Sequence, residues 1–286
     1  MQHIRISRFK SASFVACLGM LLAGGAAAAG DASAAARPGE LNLWDGDWHF
    51  ALTPYAWVPW FYTTVQLPAA AGGGTKETTT QPSQYLKYAQ GVAEIQGMAR
   101  KGDWSLWTDF LYFNFNVGNS TTRRIGLPGG SATLPVILTT DSSAKAVVWT
   151  LAPSYTVMNN DVGTLDVLAG IRYTDIWLQI AYNFTAPPTP LNQGGGFWPK
   201  DTSTAAIVGV RGALRLSPDG KWTVPYEANV GDGDKGWQYD LVLGVGYHFH
   251  WGDITLAARD LVYNVSGSNI EKVRLTGPVV GATFRW

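Results

Sequence analysis

Large apolar residues recur at every second position over most of this chain. Trp237, Tyr239, Leu241, Leu243, Val245, Tyr247 and Phe249 alternate with Gln238, Asp240, Val242, Gly244, Gly246 and His248. Leu165, Val167, Ala169, Ile171 and Tyr173 alternate with Asp166, Leu168, Gly170 and Arg172. Trp222, Val224, Tyr226, Ala228 and Val230 alternate with Thr223, Pro225, Glu227 and Asn229. A period of two sends the two classes to opposite faces of a β-strand. Ten such segments are read, over 47–61, 85–100, 103–117, 143–158, 163–180, 202–216, 221–231, 236–249, 253–265 and 271–286. The alternation slips at Arg259-Asp260, which predicts a bulge there. No 3.6-residue stripe stands out, and past the N-terminal region no apolar run reaches the ~18 residues of a membrane helix.

The joints between segments are of two kinds, and the kinds alternate. Lys101-Gly102-Asp103, Asn159-Asn160-Asp161, Ser217-Pro218-Asp219-Gly220 and His250-Trp251-Gly252-Asp253 are tight turns built from turn-forming residues. Between them fall long joints rich in Gly, Pro, Ser and Thr, over 62–84, 118–142 and 181–201, and two shorter ones near 232–235 and 266–270. A ten-stranded up-and-down sheet gives this alternation when all tight turns lie at one end. Bacterial outer-membrane barrels have an even strand count, short periplasmic turns and longer external loops. The predicted fold is therefore all-β: a transmembrane up-and-down antiparallel β-barrel of about ten strands, closed by pairing the first strand with the last, because lipid leaves no backbone group a water partner.

Composition sharpens the choice between lipid and a soluble β-sandwich, which would also alternate. Of 286 residues, 15% are charged and 13% aromatic, with 13 Trp and 33 Gly, at zero net charge. That excludes disorder and a basic nucleic-acid binder. The aromatics gather near strand ends: Trp48, Trp57, Trp60, Trp104, Tyr112, Trp177, Trp222, Trp237 and Trp251. They read as two interfacial girdles. Opposite the apolar face, many strands carry charges suited to a polar lumen.

The chain begins as an export address. Arg5, Arg8 and Lys10 precede an apolar stretch from Ser11 to Gly25 and then small residues. This is the order of a secretory signal peptide. Residues 1–36 are assigned to it, with cleavage near Ala29 and alternatives at Ala34 and Ala36; a retained N-terminal anchor and lipidation at Cys17 are the other readings. Residues 37–46 become a periplasmic segment and 47–286 the barrel. Removal of residues 1–36 takes away Cys17, the only cysteine, and leaves 18 basic against 20 acidic residues.

The final strand carries a resemblance. Pro278, Val280, Ala282, Phe284 and Trp286 alternate with Gly277, Val279, Gly281, Thr283 and Arg285. This is similar to the C-terminal signal by which Gram-negative outer-membrane barrels are recognised for assembly, with Trp286 where Phe is the more usual ending. Leu52-Thr53-Pro54-Tyr55-Ala56-Trp57, Trp104 to Tyr112, Gly170-Ile171-Arg172-Tyr173, and Gly277-Pro278 with Gly281 resemble a family of proteobacterial outer-membrane proteins. The resemblance implies fold and an outer-membrane location, with membrane lipid and the barrel-assembly machinery as partners and Val280, Ala282, Phe284 and Trp286 as the assembly signal. It implies no reaction and no cofactor.

Candidate chemistry is sparse. His248 and His250 share a strand face, half a metal site, but no third ligand is evident and they sit at a turn beside Trp251. Asp232 and Asp234 read as an acidic turn or a weak Ca²⁺ site. An acidic-His protease centre or a Ser–His hydrolase would need His at the external mouth. His49, His248 and His250 are all placed at the opposite end, ~25 Å away. That leaves the lumen charges Glu94, Asp109, Arg172, Arg211, Glu227, Asp240 and Arg259. In a barrel of ten strands, near the size that side chains fill, they read as a salt-bridged plug; the alternative is a filter for small solutes. The expected role is non-enzymatic and structural or interaction-bearing, then a narrow channel, then a membrane-embedded hydrolase.

Overall fold

The computed structural model describes residues 42–66, 74–126, 133–185, 192–198, 200–265 and 270–286. The signal segment with its cleavage sites and Cys17, and the start of the 37–46 segment, lie outside the described residues. Ten strands form the wall: β1 Trp48–Trp57, β4 Ala89–Lys101, β5 Trp104–Gly126, β6 Thr133–Asn160, β7 Gly163–Thr185, β9 Lys200–Arg215, β10 Trp222–Gly233, β11 Trp237–Phe249, β12 Gly252–Asn264 and β13 Ile270–Arg285. Each pairs antiparallel with its neighbours in that order, and β1 pairs with β13 to close the ring. The shortest wall strands, β1 and β10, have 10 and 12 residues. About 9–11 residues are needed to cross a bilayer at a tilt.

The remaining strands are β2 Trp60–Gln66, β3 Thr75–Thr80 and β8 Asn192–Phe197. They correct two expectations. The first predicted strand, 47–61, is two elements: β1 leaves β13 after Trp57↔Val279, and β2 rejoins it at Trp60↔Thr276. Pro59 lacks an amide donor, and Gly277 lies against the break, where a Cβ would stand 2.5 Å from the Val58 carbonyl oxygen. The long joints are also less loop-like than expected. β5 and β6 run on as one ladder from Val117↔Ser142 to Gly126↔Thr133, β2 and β3 form a hairpin, and β8 extends β7. Runs such as Thr75–Thr80 are Thr-rich, and β-branched threonine suits an extended backbone as well as a polar loop. A one-turn helix, α1 Pro82–Tyr85, follows β3.

The tight turns all lie at one end. Gly102 and Gly220 adopt φ of 56° and 69° there, the left-handed region that a side chain disfavours.

The two faces of the wall are distinct. Outward stand Val208, Val230, Leu243 and Leu256, each 49–63% exposed. Such a surface has no place in water. At the tight-turn end it is rimmed by rings in contact: Trp222–Tyr247 at 4.9 Å, Tyr247–Phe249 at 4.7 Å, Phe249–Trp251 at 5.5 Å and Trp251–Phe284 at 5.4 Å. Trp286 stacks on Phe50 and Phe50 on Trp48. Trp60, Tyr62 and Trp237 are exposed toward the other end. This is a transmembrane barrel. Trp57 is the exception among the girdle residues expected from sequence: it shares a face with His49, Ala51 and Tyr55 and is buried inside.

Candidate functional site in the lumen and its vestibule

Ladder register decides which charges meet. Asp109, Thr150 and Arg172 are direct partners across β5, β6 and β7. Asn229 and Asp240 face each other across β10 and β11, and Val242 pairs with Arg259 one step along. All these side chains project inward, and all but the half-buried Val242 are buried. They join across the lumen. Arg259 donates to Asp109 at 2.7 Å and to both oxygens of Asp240 at 3.0 and 2.6 Å. Arg172 donates to Thr150 at 2.9 Å, to Asn229 at 3.0 Å and to Asp240 at 3.2 Å. Asn229 donates in turn to Glu227 at 2.9 Å. Charges removed from water need such saturation, since an unpaired ion in a low-dielectric interior costs several kcal/mol.

The seven lumen charges are therefore not all in one cluster. Asp109, Arg172, Asp240 and Arg259 form its centre, and Glu227 joins through Asn229. Glu94 accepts the Trp57 backbone N–H where β1 leaves the ladder. Arg211 ion-pairs with none of them; its guanidinium lies 4.9 Å from the Trp107 ring centre.

Several participants were missed from sequence. Tyr55 donates to Asp109 at 2.6 Å and accepts from Arg259 at 3.0 Å. Arg100 pairs with Asp166 and donates to Thr156, which donates to Asp166 at 2.6 Å. Arg100 has the parity of Glu94 on β4, a signal already in the alternation, but it sits at the strand's end. The bulge expected at Arg259-Asp260 is absent: β12 stays in register with both neighbours. Asp260 simply faces outward, where Arg274 donates to it at 2.7 and 3.1 Å and Tyr239 at 3.0 Å. A paired carboxylate near the strand end broke the apolar pattern without breaking the ladder.

Beyond the charge layer, toward the long-loop end, the inward face turns apolar. Trp57, Leu111, Phe113, Val148, Leu261, Tyr263, Val273 and Leu275 pack as one buried cluster. Over it lie Phe61, Tyr85 and Phe115, with ring centres 5.1–5.6 Å apart. Tyr85, from α1, donates to the Pro59 carbonyl at 2.8 Å, and burial pushes its hydroxyl well above the ordinary phenol range.

On the other side, toward the tight turns, the lumen opens into a cavity of about 440 Å³. Its walls include Arg100, Trp107, Arg211, Glu227, His248 and Arg285. Residues of the 37–46 segment reach it: Leu43 and Trp44 line the cavity, and the Trp44 indole N–H donates to Thr156 at 3.2 Å, with Arg100 over its ring at 4.8 Å.

The imidazoles are engaged locally. His49 pairs with Asp45 at 2.7 Å, and that contact with the Asp47 amide holds the Asp45 carboxyl below its ordinary value. His248 pairs with Asp253 at 2.6 Å. Among the described residues no group of three His, Cys, Asp or Glu could hold a metal ion. Asp234 accepts from the Thr204 amide at 3.0 Å and from Ser203 at 3.1 Å, tying the β10–β11 turn to β9. Those contacts lower its pKa. Asp232 accepts the neighbouring Gly233 amide.

No family model matches the chain, and no curated protein does. Solved structures similar to it are outer-membrane proteins of differing roles. The outer membrane protease OmpT from Escherichia coli shares 10% identity over 85% of this chain and 97% of that one, at a TM-score of 0.48. The translocator domain of autotransporter NalP from Neisseria meningitidis shares 14% over 85% and 90%, at 0.36. The attachment invasion locus protein Ail of Yersinia pestis, in complex with a heparin analogue, shares 11% over 84% and 98%, at 0.32. At such distances nothing about activity passes to this chain.

Proposed function

We propose that this chain is a non-enzymatic, solute-impermeable barrel of the Gram-negative outer membrane, exported by its N-terminal segment. Its tight turns and vestibule face the periplasm, and its long hairpins face outward. The observation that carries the reading is the pair of consecutive layers across the lumen: an ion-paired layer centred on Asp240, then an apolar layer from Trp57 to Leu275. A permeating solute would have to part both. What remains for contact with the outside is the β5–β6 ladder, which continues from Val117↔Ser142 to Gly126↔Thr133, and the β2–β3 hairpin. The non-enzymatic part rests on the imidazoles. His49 and His248 lie at the tight-turn end, each paired with an aspartate, and neither is hydrogen-bonded to a Ser or Thr hydroxyl among the described residues.

A narrow channel is the second reading, favoured by the vestibule's opening at one end. Liposome swelling in a small sugar separates the two. Liposomes carrying the folded barrel are expected to swell no faster than empty ones, whereas swelling that scales with barrel content would establish the channel.

A further inference from the structure

We propose that the vestibule binds a small organic monocarboxylate, with Arg211 as the group that holds its carboxylate. Arg211 stands in the ladder between Asp166 and Glu227, yet it forms an ion pair with neither. Asp166 is taken by Arg100 and Thr156, and Glu227 accepts from Asn229. Among the described residues the Arg211 side chain donates no hydrogen bond, and its Nη1 is buried without a partner. Its guanidinium lies instead over the ring of Trp107, itself only 1% exposed. A guanidinium has five N–H donors in a fork matched to two carboxylate oxygens. Arg211 is half-buried at the cavity wall and its side chain uses none of them, which leaves an open site for an acceptor, since enclosed donors left unpaired carry a desolvation cost.

The cavity fits an organic anion in size and charge. Its 440 Å³ falls in the ~300–1,000 Å³ range of small-molecule pockets. Arg100, Arg215 and Arg285 in its walls are ion-paired with Asp166, Asp161 and Asp253. That leaves Arg211 as the wall guanidinium without an ion pair among the described residues, and a single fork favours a monoanion over a phosphate dianion. Trp107, Met98, Val242 and Val279 offer apolar wall to the rest of the molecule. This inference does not depend on which side of the membrane the vestibule faces, nor on whether the lumen conducts.

The test is equilibrium dialysis of radiolabelled benzoate against the refolded full-length barrel in detergent, with inorganic phosphate as competitor. Folding is checked by heat-modifiable gel migration. Saturable binding at one site is expected, weakened at least tenfold by Arg211→Met and partly restored by Arg211→Lys, which keeps the charge but not the fork. Arg274→Met, on the barrel's outer surface, is expected to leave it unchanged. No saturable binding to a folded barrel, or equal binding by folded Arg211→Met, overturns the site. Phosphate displacing benzoate at equal or lower concentration overturns the monocarboxylate class. Should Arg211→Met fail to fold, loss of benzoate binding on Trp107→Leu decides, because a site elsewhere would not feel that ring.

Discussion

Asp240 holds two guanidiniums at once, from Arg172 and Arg259, with no exposed surface of its own. Asp240→Ala leaves both cations buried and short of a partner, and breaking a buried ionic group in this way costs about 3–5 kcal/mol. Asp260 also carries an arginine, but on the outer surface, where such pairs contribute about 0–1 kcal/mol. The urea midpoint of the refolded barrel should fall sharply for Asp240→Ala and hardly move for Asp260→Ala. Equal shifts would mean that the inner layer is no more desolvated than the outer surface. At this scale the sequence was legible wherever period two held. Glu94, Asp109, Arg172, Arg211, Glu227, Asp240 and Arg259 lie inward by parity alone. Which of them touch depends on stagger between strands, which alternation does not contain; hence Arg211 is grouped with the others in sequence but stands apart in space. Tyr55 and Trp57 were hidden differently. Trp57, an aromatic near a strand end, reads as lipid-facing, and Tyr55 carries no charge to mark it for the lumen, yet both share the inward parity of Ala51.

The elements show where propensity and packing disagree. β1 and β2 would be one strand by alternation, and the break between them rests on Pro59 and on the missing side chain of Gly277. Gly277→Ala places a Cβ 2.5 Å from the Val58 oxygen and 2.8 Å from the Pro59 Cα, both backbone atoms that cannot swing away. Forced overpacking of this kind costs about 1–3 kcal/mol, so the variant should unfold at lower urea, whereas Gly74→Ala, with nothing near its Cβ, should lose only what its φ of 81° imposes. The Thr-rich extensions were unreadable as strands because the same residues suit loops. They take no part in the β1–β13 pairing that closes the ring. Replacing 118–141 by a two-residue turn should leave a barrel that still shows heat-modifiable migration; failure to fold would tie the hairpin to the wall. At the β10–β11 turn, Asp234 binds the Thr204 amide as a carboxylate. Its pKa is lowered in the fold, so this contribution is complete above the ordinary value of 3.8 and is lost as pH falls below it. The exchange protection factor of the Thr204 amide should drop over that interval in the wild type and be low at all pH values in Asp234→Asn.

For the whole molecule, ten alternating segments with tight turns at one end sufficed to foresee a closed barrel, because lipid allows few other ways to satisfy every backbone group. The lumen was foreseen only as a mixture of charges. Its division into vestibule, ion-paired layer and apolar layer comes from how far each strand is staggered, so that Leu111, Leu261 and Leu275 meet at one level and Arg259, Asp109 and Asp240 at another. We propose that this division seals the pore. The most direct test is planar-bilayer conductance of the refolded barrel, compared with Leu111→Gly/Leu261→Gly/Asp240→Ala, which opens both layers, each shown folded by heat-modifiable migration. The wild type is expected to pass no steady current and the triple variant to give discrete steps. Steady, ion-selective current from the folded wild type would mean that the lumen is open.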